Sequence, residues 1–232
     1  MYKDSQFESL KNKQSIHLET TQYPRIGKIK MENFAFDNIK TSLVKEDKVS
    51  ELPDEIKSKI DDFENIIVFK DGNNIYTNLN ENFNSIKITS LFDALDNNDQ
   101  EVLSLLEEHL QTLDDDRLVT LNKTHLNSFL YIKVPRNQII KETLKVYILG
   151  SRDLAHMTLI NLETNSELTI VEHLESLQSI RFNYISETYV KDNAKLNYIA
   201  IDRLSDNTTA FIGRNGYVQN DASLVYALGQ LN

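Results

Sequence analysis

Residues 162–170 read Leu162-Glu163-Thr164-Asn165-Ser166-Glu167-Leu168-Thr169-Ile170, and the same pattern returns twice at a spacing of 28 residues. The later copies run from Val190 to Tyr198 and from Val218 to Tyr226. A weaker copy lies one period earlier, where the equivalent positions hold Val134, Asn137, Gln138 and Ile140. Four copies in register indicate a repeat architecture, because such a period is typical of stacked structural units.

Each column of the repeat suits one position of a strand or of the turn before it. The first column holds residue types that tolerate the left-handed backbone of a tight corner, namely Asn137, Asn165, Asn193 and Asp221. A small residue follows in three copies. Large apolar residues then recur two positions apart, as Leu168, Leu196 and Leu224 and as Ile170, Tyr198 and Tyr226. Because side chains alternate between the faces of a strand, we expect each set to form a stacked column in one interior.

Stacked units of this kind predict a mainly β fold, a parallel β-helix (β-solenoid) in which each copy covers the apolar face of its neighbour. The alternative is a sandwich whose hairpins are evenly spaced. We predict that residues 117–232 form the β-helix core. The last copy is followed by no polar or helical cap, so the core is expected to be truncated at its C-terminal end and the chain to self-associate.

Residues 1–116 are predicted to form a small acidic α+β domain. This segment carries 13 Lys+Arg against 24 Asp+Glu, a net charge of −11, whereas residues 117–232 carry 12 against 11, a net charge of +1. Asp71-Gly72 predicts a hairpin between strands at about 66–69 and 74–77. Apolar residues at helical spacing predict a helix from about Asp99 to Thr112. A shorter helix is predicted to begin at Leu52-Pro53-Asp54-Glu55, with Ile56, Ile60 and Phe63 on one face.

The composition excludes several classes of function. There is no cysteine, so neither disulfides nor thiolate metal sites can form within the chain. The acidic first half repels phosphate backbones and anionic lipid, which argues against nucleic-acid and membrane binding. No apolar run approaches the ~18 residues of a membrane span, and the first residues lack the features of a signal peptide. We therefore predict a cytoplasmic protein.

The motifs of common catalytic sites are absent from the sequence. It contains no glycine-rich phosphate loop, no H-E-x-x-H and no G-x-S-x-G. We interpret His109 as a surface residue, and His156 and His173 as satisfied or exposed strand-edge residues. We interpret Asp114-Asp115-Asp116 as a solvated loop and the acidic residues 96–101 as a helix cap. We accordingly predict no catalytic, cofactor-binding or metal-binding residue and no enzyme activity.

One segment carries a family resemblance. Phe129-Leu130-Tyr131-Ile132-Lys133-Val134-Pro135-Arg136-Asn137, followed by Ile140 and Leu144, resembles the strand and turn that open the β-helix core of the SufB/SufD scaffold proteins of iron-sulfur cluster assembly. Residues 158–176 and 185–205 resemble the next coils of that family. The SufB branch generally has a cysteine just after the strand equivalent to residues 168–171, where this chain has Glu172-His173-Leu174-Glu175, so the resemblance favours the SufD branch.

The resemblance implies a non-catalytic scaffold subunit of the SufBCD complex, which pairs with a SufB-like scaffold and works with the SufC ATPase. It implies that no cofactor is bound by this chain alone and that the iron-sulfur cluster is assembled on the whole complex. The family's helices that dock SufC lie beyond the part that matches here. Two alternatives are a β-helix polysaccharide-processing enzyme and a self-standing β-solenoid interaction module.

Overall fold

The computed structural model of the chain describes residues 5–231. Its α-helices are α1 (Ser5–Leu18), α2 (Asp54–Lys57), α3 (Leu91–Asp96), α4 (Gln100–Gln111) and α5 (Arg117–His125). Its first strands are β1 (Ile66–Lys70), β2 (Asn73–Asn78), β3 (Lys87–Ser90), β4 (Ser128–Val134) and β5 (Ile139–Gly150). They are followed by β6 (Leu154–Leu162), β7 (Glu167–Ser176), β8 (Arg181–Val190), β9 (Lys195–Arg203), β10 (Thr209–Val218) and β11 (Ser223–Gln230). No helix in this part of the chain is long and apolar enough to cross a membrane.

The eleven strands form two sheets, between which the chain alternates from β4 onward. One sheet has the order β11-β9-β7-β5-β1-β2 and the other the order β10-β8-β6-β4-β3. From β4 onward, neighbouring strands within each sheet are parallel, and Leu154 pairs with Phe182 just as Leu168 pairs with Leu196, 28 residues apart in both cases. Two strands therefore make one coil, and four coils stack into a β-solenoid, so the predicted fold is confirmed.

The interior columns have the predicted register. Leu168 pairs with Leu196 and Leu196 with Leu224, while Ile170, Tyr198 and Tyr226 pair in the same order. Leu168, Ile170, Leu196 and Tyr198 are each at most 2% exposed, and the two residues on β11 are partly buried against the same core. The 28-residue period therefore places the large apolar residues of successive coils directly over one another.

The corner between the strands of each coil uses the left-handed backbone. Asn137, Asn165, Asn193 and Asp221 have φ values of 61°, 60°, 58° and 54°. Each corner is tied to the next, since the Asn165 backbone N–H donates to the carbonyl of Asp192 at 3.1 Å and the Asn165 side-chain Nδ2 donates to Asn137 Oδ1 at 2.9 Å. The asparagine column is therefore explained by backbone conformation and by a ladder of hydrogen bonds along the stack.

Replacement of Asn165 by alanine should lower the free energy of unfolding by about 1–2 kcal/mol, because alanine is strained in the left-handed region and cannot make the ladder bond. Asn165→Gly can keep the backbone conformation, so its free energy of unfolding should fall by less than that of Asn165→Ala. Urea denaturation of both variants checks this. Equal losses for the two variants would show that the left-handed backbone is not what the corner requires.

Strands from the first half of the chain extend both sheets. β1 pairs in parallel with β5 and antiparallel with β2, while β3 pairs antiparallel with β4. The hairpin at Asp71-Gly72 is confirmed, with Gly72 at a φ of 90° and a position for Cβ that would lie 2.4 Å from the Asn127 carbonyl oxygen. The division of the chain into domains at residue 116 stays a prediction.

Helices α1 and α4 cover the outer face of the sheet that contains β4 and β6. Val102, Leu106 and Leu110 of α4 are buried in one cluster with Phe129 and Met157. The helix predicted at 99–112 is therefore confirmed, and its apolar stripe packs on the solenoid. Asp99 provides the N-cap by accepting a hydrogen bond from the Val102 backbone N–H at 3.3 Å, so capping explains this acidic stretch.

Two local expectations were wrong. The segment after Arg117, which has the texture of short strands, begins with helix α5, because Asp116 accepts a hydrogen bond from the Leu118 backbone N–H at 2.7 Å and caps it. The helix at Asp54 is a single turn, and Phe63 lies beyond it with 37% of its surface exposed. Ile56 and Ile60 are buried there as expected.

Candidate functional site

Ser128 and His156 form the arrangement in the structure that most resembles a nucleophile beside a base. Ser128 Oγ lies 2.5 Å from His156 Nδ1, and His156 Nε2 lies 2.9 Å from Thr158 Oγ1. The imidazole also stacks on the ring of Tyr184, with centroids 5.4 Å apart. Both members of the pair have 0% of their surface exposed. A substrate therefore has no access to this serine, and the pair satisfies buried polar groups of the core.

Burial lowers the pKa of His156 to about 3. A histidine of the unfolded chain takes up a proton at a pKa of about 6.5, so the unfolded state binds more protons below that pH. Stability should therefore fall as the pH drops from about 6.5 towards 3, with this group contributing up to about 1.4 kcal/mol per pH unit. An NMR titration of the His156 ring checks the cause. Protonation with a midpoint above pH 5 in the folded protein would contradict it.

His109 and His173 lie in environments that the sequence did not indicate. The side chain of His109 is only 9% exposed, and its Nδ1 lies 3.4 Å from Glu187 Oε1 on β8, so the interpretation as a surface residue was wrong. His173 is 5% exposed and stacks on Tyr147 with ring centroids 4.2 Å apart. Burial, together with the charge of Arg203, lowers the pKa of His173 to about 4.

The aspartates at 114–116 are held in place by specific contacts. Asp114 forms an ion pair with the ammonium of Lys123, whose side chain is 2% exposed, and Asp116 caps α5. The stretch is a loop, as predicted, and its first and last aspartates are held by these contacts. Over residues 5–231, no group of three or more His, Cys, Asp or Glu side chains is arranged to hold a metal ion.

Charged residues lie inside the solenoid across its last three coils, in a group that we call the interior charge cluster: Glu172, Asp202 and Arg214 with the hydroxyls of Tyr184 and Tyr198. Arg214 on β10 lies 3.2 Å from Glu172 Oε1 and 2.8 Å from Asp202 Oδ1. Glu172 Oε2 accepts hydrogen bonds from Tyr184 at 2.5 Å and from Tyr198 at 2.6 Å. The Glu172 and Arg214 side chains are 1% and 8% exposed.

Burial and pairing act in opposite directions on the interior charge cluster. Burial raises the pKa of Glu172, and the nearby charge of Arg214 and the hydrogen bonds from the two tyrosines oppose that rise. Burial would lower the pKa of Arg214, but the charge of Glu172 together with the contributions of Tyr184 and Asp202 outweighs it, and the pKa is raised. Arg214 therefore stays charged, and the cluster is a fixed structural ion pair whose members depend on one another.

The sequence already contained the signal for the interior charge cluster. Glu172 follows Ile170 by two positions, and Asp202 follows Tyr198 by four, so both continue the inward-facing set of their strands. The predicted columns end at Ile170 and at the equivalent residues Tyr198 and Tyr226. Extending the same alternation would have predicted buried carboxylates and the need for a buried cation.

The last coil has free strand edges. β10 and β11 each stand at the end of their sheet, so within residues 5–231 each is paired along one side only. Val225 and Leu228 on β11 are 51% and 62% exposed, and Tyr217 and Val218 on β10 are 50% and 48% exposed. Unpaired edges and exposed apolar side chains at one place are typical of a surface that binds another chain or another coil.

Comparison with known proteins agrees with this architecture. A family model described as "SUF system FeS cluster assembly, SufBD core domain" matches residues 148–232. The iron-sulfur cluster assembly protein SufD of Bacillus subtilis (strain 168) is 28% identical over 233 residues, an alignment that covers 92% of this chain and 52% of the relative. The chain is therefore similar to proteins of the SufB/SufD family.

The region matched by the family model contains the features described above. The core model begins in β5 and covers β6 to β11, so the interior charge cluster and the free edges both lie inside the matched region. The chain spans about half the length of the curated relative that it matches. These similarities give no support to the polysaccharide-processing alternative.

Proposed function

We propose that this chain is a non-catalytic scaffold subunit of a SufBCD-type complex in the cytoplasm, where it pairs with a SufB-like scaffold. The observation that carries the proposal is the SufD relative, which matches over 92% of the chain. The cluster is then assembled on the whole complex, and this chain alone binds no cofactor. SufC, the ATPase, joins the complex through other parts of the assembly.

Two features of the fold support a role in binding. The interior of the solenoid is filled by side chains, from the Leu168 column to the interior charge cluster, so it offers no open channel to a substrate. The buried Ser128 and His156 pair is likewise closed to solvent. Binding can therefore take place only on the outer surface, and a scaffold binds its partners over large surfaces.

Co-purification tests this function. The tagged chain is expressed in cells that contain a SUF system, and the captured proteins are identified by mass spectrometry near physiological ionic strength. We expect enrichment of a SufB-like protein. We also expect the chain to retain less SufC than a full-length SufD control does. Leu196→Asp, which is expected to destabilise the solenoid, is the control variant and should abolish capture. Capture of SufC alone, or equal capture by the control, would contradict the proposal.

We also propose that the isolated chain self-associates through the free edge of β11. The Ser223 backbone N–H donates to the carbonyl of Ala194, just before β9, at 2.9 Å, and the Leu231 N–H donates to the carbonyl of Asp202 on β9 at 2.9 Å. Donors alternate along a parallel strand, so the N–H of Leu228 points to the unpaired edge. Leu228→Pro therefore blocks edge pairing while keeping the bonds to β9.

Sedimentation velocity over a range of concentrations checks this expectation. The sedimentation coefficient of the unaltered chain should rise with concentration, and Leu228→Pro should shift the distribution towards the monomer. Val225→Pro is the comparison variant, because it removes an N–H that faces β9 and should instead destabilise the last coil. A clean monomer of the unaltered chain at high concentration would contradict self-association.

A further inference from the structure

A groove separates the C-terminal half of α4 from the outer face of the sheet formed by β4, β6, β8 and β10. Its volume is about 430 Å³, and it is open to solvent on one side. Leu105 and His109 line it from the helix, and Tyr131, Leu159 and Glu187 line it from three neighbouring strands. The volume is in the range of sites that take a small molecule or a few side chains of a partner.

Three buried polar atoms at this groove make no hydrogen bond of ordinary length within residues 5–231: His109 Nε2, Tyr131 Oη and Asn161 Oδ1. The Tyr131 hydroxyl lies near the side chains of Asn161 and Glu101, which both act on its pKa. Tyr131 is only 1% exposed. The strand register brings the three together, because Tyr131 pairs with Leu159, Asn161 lies two residues further on the same face, and Leu159 pairs with Glu187, which His109 contacts. Buried polar groups without a partner are rare in folded proteins, so three around one hollow indicate a missing ligand.

The polarity of these atoms defines the missing partner. His109 Nδ1 faces the Glu187 carboxylate, so Nδ1 carries a proton, and in the neutral ring Nε2 is an acceptor. The Asn161 amide nitrogen donates to Glu163 at 3.4 Å, so its Oδ1 is also an acceptor. The Tyr131 hydroxyl can donate or accept. The groove therefore calls for a ligand with at least two hydrogen-bond donors.

The charge of the groove favours a cation. The acidic residues Glu108, Asp114 and Glu187 line it, against one lysine, Lys191. Asp114 is already paired with Lys123, so Glu108 and Glu187 supply the negative charge that is free to attract a ligand. That lysine is already bound by both carboxylate oxygens of Glu163, each at 2.9 Å. Burial by itself would raise the pKa of Glu187, but hydrogen bonds from His109 and Tyr189 lower it, so this carboxylate is charged.

The walls of the groove favour a planar group on an apolar stem. Tyr189 and Tyr217 stack at one end with ring centroids 4.7 Å apart. Leu105, Met157 and Leu159 provide an apolar floor. Tyrosine rings attract cations over their faces, and long basic side chains bury their methylene groups on apolar surface.

We propose that the groove binds an arginine side chain presented by a segment of a partner protein. A guanidinium carries five N–H donors in one plane, which matches several acceptors around a hollow, and it stacks on aromatic rings. The ammonium of lysine has neither the planar set of donors nor the stacking face. The acidic lining supplies the charge complementarity that selects such a segment. This proposal does not depend on the identity of the scaffold's partners.

The test is a titration of the full 232-residue chain with the peptides acetyl-Gly-Arg-Gly-amide and acetyl-Gly-Lys-Gly-amide, followed by NMR. We expect the arginine peptide to shift the signals of His109, Asn161 and Tyr189 saturably, and the lysine peptide to bind more weakly. Asn161→Leu and Tyr131→Phe should each weaken binding of the arginine peptide roughly tenfold, because each removes a hydrogen bond to a charged group. Tyr131→Phe should leave thermal stability unchanged or raised, since the hydroxyl makes no hydrogen bond of ordinary length within residues 5–231.

Asn197→Leu is the matched control for Asn161→Leu, because Asn197 is an exposed asparagine on β9 of the other sheet. It should not change the affinity. Absence of saturable shifts at the groove would mean that water alone satisfies the three atoms, and it would overturn the proposal. Equal affinity for the two peptides, or affinities that the groove variants do not change, would overturn it as well.

Discussion

Replacement of Leu196 by aspartate should lower the free energy of unfolding by more than about 4 kcal/mol, which is an exceptional loss for a single substitution. Leu196 is 1% exposed and stands in the middle of a column, paired with Leu168 on one side and Leu224 on the other. A carboxylate at this position would lie among apolar side chains of three coils without a cation beside it. Thermal and urea denaturation measure the loss.

Asn197→Asp is the control for this substitution, because it introduces the same charge one residue later on the outward face of β9. Its effect should stay within about 0.5 kcal/mol, as is usual for surface substitutions. If Leu196→Asp and Asn197→Asp had similar melting temperatures, the stacked interior column would be wrong.

Replacement of Arg214 by methionine should cost about 3–5 kcal/mol, because it leaves the buried Glu172 carboxylate without its cation. Methionine has a similar length and no charge, so lost packing is a minor part of the effect. The loss should be largest near neutral pH. In the variant, burial acts on Glu172 without the opposing charge, so its pKa in the folded state lies further above the unfolded value.

The sign of the pH effect follows from that shift. An acid with a raised pKa binds more protons when folded, so the stability of Arg214→Met should fall as the pH rises from about 4.3 through the raised pKa of Glu172. The double variant Arg214→Met with Glu172→Gln removes the unpaired charge and should recover part of the loss. If the double variant is no more stable than Arg214→Met, or if the stability loss of Arg214→Met does not depend on pH, Glu172 and Arg214 are not coupled.

The regular part of the fold could be predicted from the sequence because the residues that determine it recur at a fixed spacing. Leu168, Leu196 and Leu224 repeat every 28 residues, and the left-handed corners require asparagine, aspartate or glycine at a fixed place in each coil. The hairpin at Asp71-Gly72 and helix α4 follow from local rules of turn and helix formation.

The attachment of the first half to the solenoid could not be predicted in the same way. β1 joins one sheet beside β5, and β3 joins the other beside β4, which are pairings of residues far apart in sequence. Ile67 pairs with Val146, but no sequence repeat relates the two residues, because their strands share only an apolar character. Helix α5 was missed since its cap, Asp116, was taken as the end of an acidic loop and its apolar residues are few.

The groove was beyond sequence reasoning for a different reason. His109, Tyr131 and Asn161 come from a helix and two strands and carry no shared motif. Their lack of partners is a property of packing, because it depends on where α4 lies over the sheet. A polar residue on a strand is ordinarily solvated, and only the structure distinguishes it from one that is buried without a partner.

The central claim is that this chain acts by binding a SufB-like scaffold. Native mass spectrometry of the two purified proteins, mixed at micromolar concentrations near physiological ionic strength, tests it most directly. We predict a hetero-complex of defined stoichiometry that is absent when the Leu196→Asp variant is used. Two proteins that remain separate at concentrations where a full-length SufD control forms the complex would contradict it.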